Sequence, residues 1–303
     1  MRFPRKGESS HEKLAALVSA FLILAACSAV PAEQLMPAQS AASNVHNAPG
    51  PEALDYQVET RLWEDSVRAE DGTMLAWYQF HLPEMSVLQA DGTPLETAET
   101  PAEQEALEAA KTFNTRFSSW ISQEEFESMT QEAAGELELF RENEMEWYGG
   151  YGQELEVSLY QTEHLVSIQG TYYSYAGGPH PNRWHMGWCF DLDTGTFFGP
   201  ESLAADSADF QQAVLEELIR QADERAVEYE VEPQSFYWED YRDILANWSS
   251  YAVFFDKRGM VIAFSPYELA SYAAGTQSFR FSYDWLLPHL SEHGRQVLER
   301  ESE

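Results

Sequence analysis

Residues 165–195 read LVSIQGTYYSYAGGPHPNRWHMGWCFDLDTG. Two runs rich in β-branched and aromatic residues, Leu165 to Tyr175 and Trp184 to Leu192, flank a segment that holds two glycines and two prolines. Proline fixes φ and glycine opens conformations closed to other residues, so the middle is a shaped loop between strands. Asp193-Thr194-Gly195 then offers a hairpin turn. Working outward, Leu155, Val157 and Leu159 alternate as a strand before this stretch. Earlier still, Tyr56, Val58, Thr60 and Leu62 alternate, Glu70-Asp71-Gly72 turns, and Thr73–Leu82 returns as far as Pro83. Between these strand regions lie two helical stripes. Thr100-Pro101 supplies a cap and first position for Leu107, Ala110, Phe113, Phe117 and Ile121; Phe126, Met129, Ala133, Leu137 and Phe140 continue on a second helix.

On the C-terminal side, a helix from about Ser207 to Glu228 puts Phe210, Val214, Leu218 and Ala222 on one face. A shorter helix is expected over Trp238–Ala246. The runs Tyr251–Phe255, Met260–Phe264 and Ser278–Phe281 read as strands, with a turn at Lys257-Arg258-Gly259. Separate runs of strand and helix define an α+β fold: antiparallel sheet with packed helices, in two small sequential subdomains that form one globular unit. The subdomains are expected at 55–185 and 186–295, with a tail at 296–303.

The first 26 residues read as a leader. Arg2, Arg5, Lys6 and Lys13 precede an apolar run, Leu14 to Leu24, that falls well short of the ~20 residues a membrane-crossing helix needs. Leu24-Ala25-Ala26-Cys27 resembles the lipobox of bacterial lipoproteins, which predicts cleavage before Cys27 and lipid on its thiol. Residues 27–54, rich in Ala, Pro, Ser, Gln and Asn, read as a flexible tether. The expected location is the extracytoplasmic face of the cell membrane, with lipid on Cys27 as the only membrane contact. Cys189 is the one remaining thiol, so no internal disulfide is available. Its Trp188-Cys189-Phe190 setting predicts a buried, inert residue.

The chain carries 18 basic and 51 acidic residues, a net charge of −33. Without the four basic and two acidic residues of the leader, 14 and 49 remain, a net charge of −35. Such a field repels nucleic acid and anionic lipid and attracts cations and basic proteins. No G-x-S-x-G, H-E-x-x-H, Walker or dinucleotide fingerprint occurs, and no residues are nominated as catalytic.

Two aromatic segments are candidates for binding. One comprises Tyr173, Tyr175, Gly177, Gly178, His180, Asn182 and Trp184; the other is Trp147 and Tyr148, followed by Gly149-Gly150-Tyr151-Gly152. Aromatics beside glycine suit sugar stacking or a protein hot spot. A metal at His180 and His185 would need carboxylates from elsewhere, and His289 and His293 are spaced to face one way on a helix. Neither pair comes with a partner motif, so no cofactor or metal is expected. Asp191 and Asp193 alternate like calcium ligands but lack the later ligands of the twelve-residue loop, and a hairpin turn is the better reading.

Phe113-Asn114, the Tyr173–Asn182 passage, Asp191–Gly195 and the closing passage Met260–Leu287, with Phe264-Ser265-Pro266-Tyr267-Glu268-Leu269 and Tyr272-Ala273-Ala274-Gly275, occur in an order that resembles the paired extracytoplasmic domains of the RsiV type. Such domains occur in the lysozyme-sensing anti-sigma factor and in the non-catalytic front part of a peptidoglycan deacetylase. The resemblance covers roughly residues 55–290, with 55–185 similar to the deacetylase-associated part and 186–295 to the RsiV-like part. Pro179 stands where that family more often has Ala. Neither a sigma-binding segment nor a deacetylase domain is found. The resemblance therefore implies a binding or sensing lipoprotein for lysozyme, another basic protein or cell-wall glycan. A metal-dependent hydrolase of wall carbohydrate is the alternative.

Overall fold

In the computed structural model, residues 54–299 are described, all within one compact unit, Gly50–Glu303. Residues 1–53 and 300–303, which include the expected leader, Cys27 and nearly all of the expected tether, lie outside the described part. Among the described residues no helix is long and apolar enough to cross a membrane.

A six-stranded sheet is built from β1 (Asp55–Arg68), β2 (Met74–Leu88), β3 (Tyr151–Gln161), β4 (Leu165–Tyr175), β5 (Asn182–Asp191) and β6 (Thr196–Phe198), in that spatial order. Every neighbouring pair is antiparallel except β2 and β3, which run parallel from Ala76–Tyr151 to Phe80–Leu155. That exception follows from the connection. The chain between β2 and β3 holds two helices, α1 (Pro101–Ser118) and α2 (Gln123–Glu142), and a long crossover suits parallel strands.

The start of α1 is chemically specified. The Thr100 hydroxyl accepts from the Glu103 amide, and the Glu103 carboxylate accepts from the Thr100 amide, with Pro101 at the first helical position. The helix ends at Ser118, three residues before Ile121, which still packs against the same core. Phe113 and Phe117 are buried beneath the sheet against Leu155, Ile168 and Phe190.

Contrary to the sequence expectation, β2 continues through Pro83 to Leu88. Around the proline the buried positions are Phe80, Leu82 and Pro83, then Met85 and Val87, so the alternation changes phase across Pro83 and Glu84. At the phase change Asn114 of α1 takes the place of a neighbouring strand. Its Oδ1 accepts from the Met85 amide at 2.7 Å, and its Nδ2 donates to the Met85 carbonyl at 2.9 Å.

The second layer follows β6. Helix α3 (Ser207–Glu228) is capped by Asp206, whose carboxylate accepts from the amides of Ala208 and Asp209. A short helix that the sequence did not suggest, α4 (Pro233–Phe236), comes next, and the helix expected over 238–246 forms after it as α5 (Tyr241–Ala246). Pro233 starts α4, while Tyr237 leaves it in extended geometry and bridges to Ala270. Three antiparallel strands, β7 (Ala252–Asp256), β8 (Gly259–Phe264) and β9 (Gln277–Ser282), form a second sheet with β8 central and buried throughout. The short helices α6 (Tyr283–Leu286) and α7 (Glu292–Val297) close the described chain.

The two sheets meet where β7 crosses β4 and β5. Side chains alternate along β4. Val166 and Ile168 enter the core under α1, and Leu165 enters the core shared with α3 and the second sheet. Ser167 accepts from the Phe255 amide at 2.6 Å, and Gly187 lies so close to the Val253 carbonyl that a Cβ would overlap it. Cys189 is buried in the same seam.

Candidate functional site

The two aromatic segments picked out in the sequence meet at one end of the large sheet. Gly152 of β3 pairs with Tyr175 of β4, which brings the 147–152 turn beside the Gly177–Gly178 turn. Glu136, on α2, lies between them. Its Oε2 accepts from the Tyr151 hydroxyl at 2.7 Å, and its carboxylate stands 3.3 Å from where a Gly177 Cβ would be. Gly177 and Gly178 take φ of 81° and 95°, a left-handed run that admits glycine without strain. The Tyr175 hydroxyl donates to the Gly178 carbonyl at 3.1 Å and so closes the turn.

Tyr148 projects from the other turn, 68% exposed, and donates to Glu146 at 3.1 Å. Hydrogen bonding to Glu146 raises its pKa above the ordinary phenol value, with the Glu146 charge adding to it. Burial, then the hydrogen bond to Glu136, raises Tyr151 further. The Tyr175 phenol lies near enough to add to both shifts. The result is two tyrosine–carboxylate pairs at one end of the sheet, Tyr148 with Glu146 and Tyr151 with Glu136, with the Tyr175 phenol close to both tyrosines. Carboxylates and π faces together suit a cation such as a lysine or arginine side chain.

Trp147 is half-buried and holds the turn. Its indole donates to the Met74 carbonyl at 2.9 Å and packs edge-on against Phe140. Tyr173 lies beside the cluster on the same face of β4, stacked on Trp77 at 6.0 Å with the Arg183 guanidinium 5.2 Å from its ring. Trp184 faces the other way, stacked on Tyr172 at 5.5 Å above the helices, because neighbouring strand residues point to opposite faces. Asn182 is exposed at the start of β5, opposite Ser174.

His180 leaves the cluster and joins the second layer. Its ring stacks on Tyr272 at 4.4 Å, and Nε2 lies 3.3 Å from the Tyr267 hydroxyl. Tyr267 is 51% exposed and held at φ 73°, a costly geometry for a non-glycine residue. His185 points Nε2 at Thr276, 2.6 Å away. Burial, then the Arg183 charge, lowers its pKa. The two histidines thus serve different partners. His289 packs on Trp285, while His293 reaches Asp191 at 2.7 Å from a different helix, so these two do not share a helix face. Asp191 also accepts from the amides of Asp193 and Thr194, the geometry of a hairpin turn. Among the described residues no three His, Cys, Asp or Glu side chains are grouped to hold a metal ion.

Sequence reasoning missed Glu136 and Glu146, and quoted Tyr151 only as part of the aromatic segment, without a role of its own. Glu136 is one of many glutamates on α2, and only the pairing of β3 with β4 singles it out.

Fold and site together define an α+β protein with a tyrosine–carboxylate surface at one end of its large sheet. Residues 201–284, from the turn before α3 to the start of α6, match the family described as "Protein of unknown function (DUF3298)". The chain is similar in fold to a member of the DUF3298 family from Bacteroides fragilis NCTC 9343, with a TM-score of 0.52 at 10% identity over 80% of this chain and 96% of that one. A DUF3298 family protein from Pseudomonas aeruginosa PAO1 aligns with a TM-score of 0.44 at 12% identity over 79% of this chain and 96% of that one. No curated protein matches the chain. The tyrosine–carboxylate cluster lies outside the matched segment, which His180 touches through Tyr267 and Tyr272.

Proposed function

We propose that this protein is an extracytoplasmic binding lipoprotein of the RsiV type, tethered through lipid on Cys27, that captures basic proteins such as lysozyme. The observation that carries this reading is the grouping of the Tyr148–Glu146 and Tyr151–Glu136 pairs beside Tyr175 in a chain of net charge −33. Long-range attraction speeds encounter with a cationic partner, and desolvated aromatics hold the docked complex.

The two contributions separate in kinetics with lysozyme as the probe. Raising salt from 0.1 M to 1 M shortens the screening length from ~10 Å to ~3 Å, so association slows. Tyr148→Ala leaves association nearly unchanged and speeds dissociation by the equivalent of about 1–3 kcal/mol. Tyr148 is the variant of choice because its ring is exposed and closes no turn. Absence of association at low salt would remove lysozyme as the partner, and a Tyr148→Ala complex as long-lived as the parent's would remove this site. The anchor is tested separately. Cys27→Ala abolishes lipid labelling and releases the protein or leaves its leader uncut; undiminished labelling would refute the anchor.

A further inference from the structure

The outer edge of the large sheet is open. Strand β1 pairs only with β2, and every residue from Glu59 to Ser66 is exposed. Two large apolar side chains lie in the middle of this run, Leu62 at 44% and Trp63 at 39% exposure. A long unpaired strand edge is a template for another strand, and proteins commonly blunt it with charge. Here the charges differ in sign along one face. Arg61, Trp63 and Asp65 share the face that carries Leu82, Phe80 and Tyr78 on β2, with the Arg61 guanidinium 4.9 Å from the Trp63 ring.

Two identical edges that pair antiparallel are related by an axis perpendicular to the sheet. That symmetry keeps each face on its own side, so only residues of like parity stand opposite one another. Several centres are then possible. An axis through Thr60 sets Glu59 against Arg61, but its ladder runs back over Tyr56, whose carbonyl already accepts from the Gln161 side chain. An axis through Arg61 or Glu64 sets like charges face to face. An axis through Leu62 sets Glu59 against Asp65. An axis through Trp63 sets Trp63 against Trp63 and, on both sides, Arg61 against Asp65.

We propose that β1 is a self-association edge, pairing with β1 of a second copy about Trp63 to give one continuous sheet. The occupant is a second copy because charge complementarity about Trp63 is satisfied by this strand's own sequence. Aromatic and opposite-charge cross-strand pairs are the stabilising kinds. The net charge of −33 on each chain opposes the approach, so pairing strengthens as added salt screens the two bodies.

Cross-linking on intact membranes tests the register. In an antiparallel pair, residues at the axis bring their Cα atoms to about 4.5–5.5 Å, within disulfide reach. Trp63→Cys therefore yields a disulfide-linked dimer under mild oxidation. Glu59→Cys, which stands opposite Val67 and far from its own copy, yields several-fold less. Adding Asp65→Arg to Trp63→Cys suppresses the dimer, and adding Arg61→Asp as well restores it. The restoration guards against a misfolded single variant, and the buried Cys189 is shielded from the reaction. No dimer from Trp63→Cys, equal yields at both positions, or indifference to the charge swap would each overturn the proposal.

Discussion

Asn114 occupies a position where a helix meets a strand that has lost its neighbour. Strand β3 pairs with β2 only as far as Phe80, and beyond that point the Met85 amide and carbonyl need other partners. A carboxamide carries one acceptor and one donor group and so imitates a strand residue. Asn114→Ala leaves both backbone groups unpaired at a part-buried site and is expected to cost about 1–3 kcal/mol in urea unfolding. A loss within a few tenths of a kcal/mol would mean that water replaces the side chain. Cys189 makes a second test at this scale. Full burial pushes its thiol from 9.0 up to about 12, and burial likewise raises Tyr251 from 10.0 to about 12. Both groups are favoured in their protonated form by the fold. The stability they contribute is present below pH 9 and is lost as pH rises towards 12. The urea midpoint is therefore expected to fall between pH 9 and 11, and a thiol reagent at pH 8 is expected to label Cys189 only after unfolding. Rapid labelling of the native protein would contradict this burial.

At the scale of elements, the seam between β5 and β7 joins the two sheets. Gly187 has no room for a side chain beneath the Val253 carbonyl. Gly187→Ala therefore forces the strands apart and is expected to cost about 1–3 kcal/mol, read as a lowered unfolding midpoint. An unchanged midpoint would show that the seam yields freely. Most elements were legible in the sequence because their signals are local. Thr100-Pro101 with Glu103 starts α1, Asp206 starts α3, and Gly72 and Gly195 close turns with positive φ. What sequence could not show is non-local. The parallel pairing of β2 with β3 depends on how α1 and α2 cross over, and the continuation of β2 past Pro83 depends on Asn114, 31 residues later. The aromatic segments at Trp147–Tyr148 and Tyr173–Asn182 were visible as separate passages. Strand register sets Gly152 opposite Tyr175, which brings the turn carrying Tyr148 beside that ring, and it turns Trp184 to the face opposite Tyr175.

At the scale of the whole molecule, charge and aromatic geometry act at different ranges. The net charge of −33 works over a screening length of ~10 Å at 0.1 M salt, whereas the tyrosine–carboxylate cluster acts only on contact. In the proposed reading capture of a cationic partner uses both, with the tyrosine–carboxylate pairs as the docking place. Hydrogen–deuterium exchange of the protein with and without lysozyme reads that location directly. The account predicts slowed exchange confined to the turns at 146–151 and 175–178 and to the exposed side of α2 around Glu136, lost in the Tyr148→Ala variant. Protection that falls elsewhere, or no protection at a lysozyme concentration that saturates binding, would contradict it.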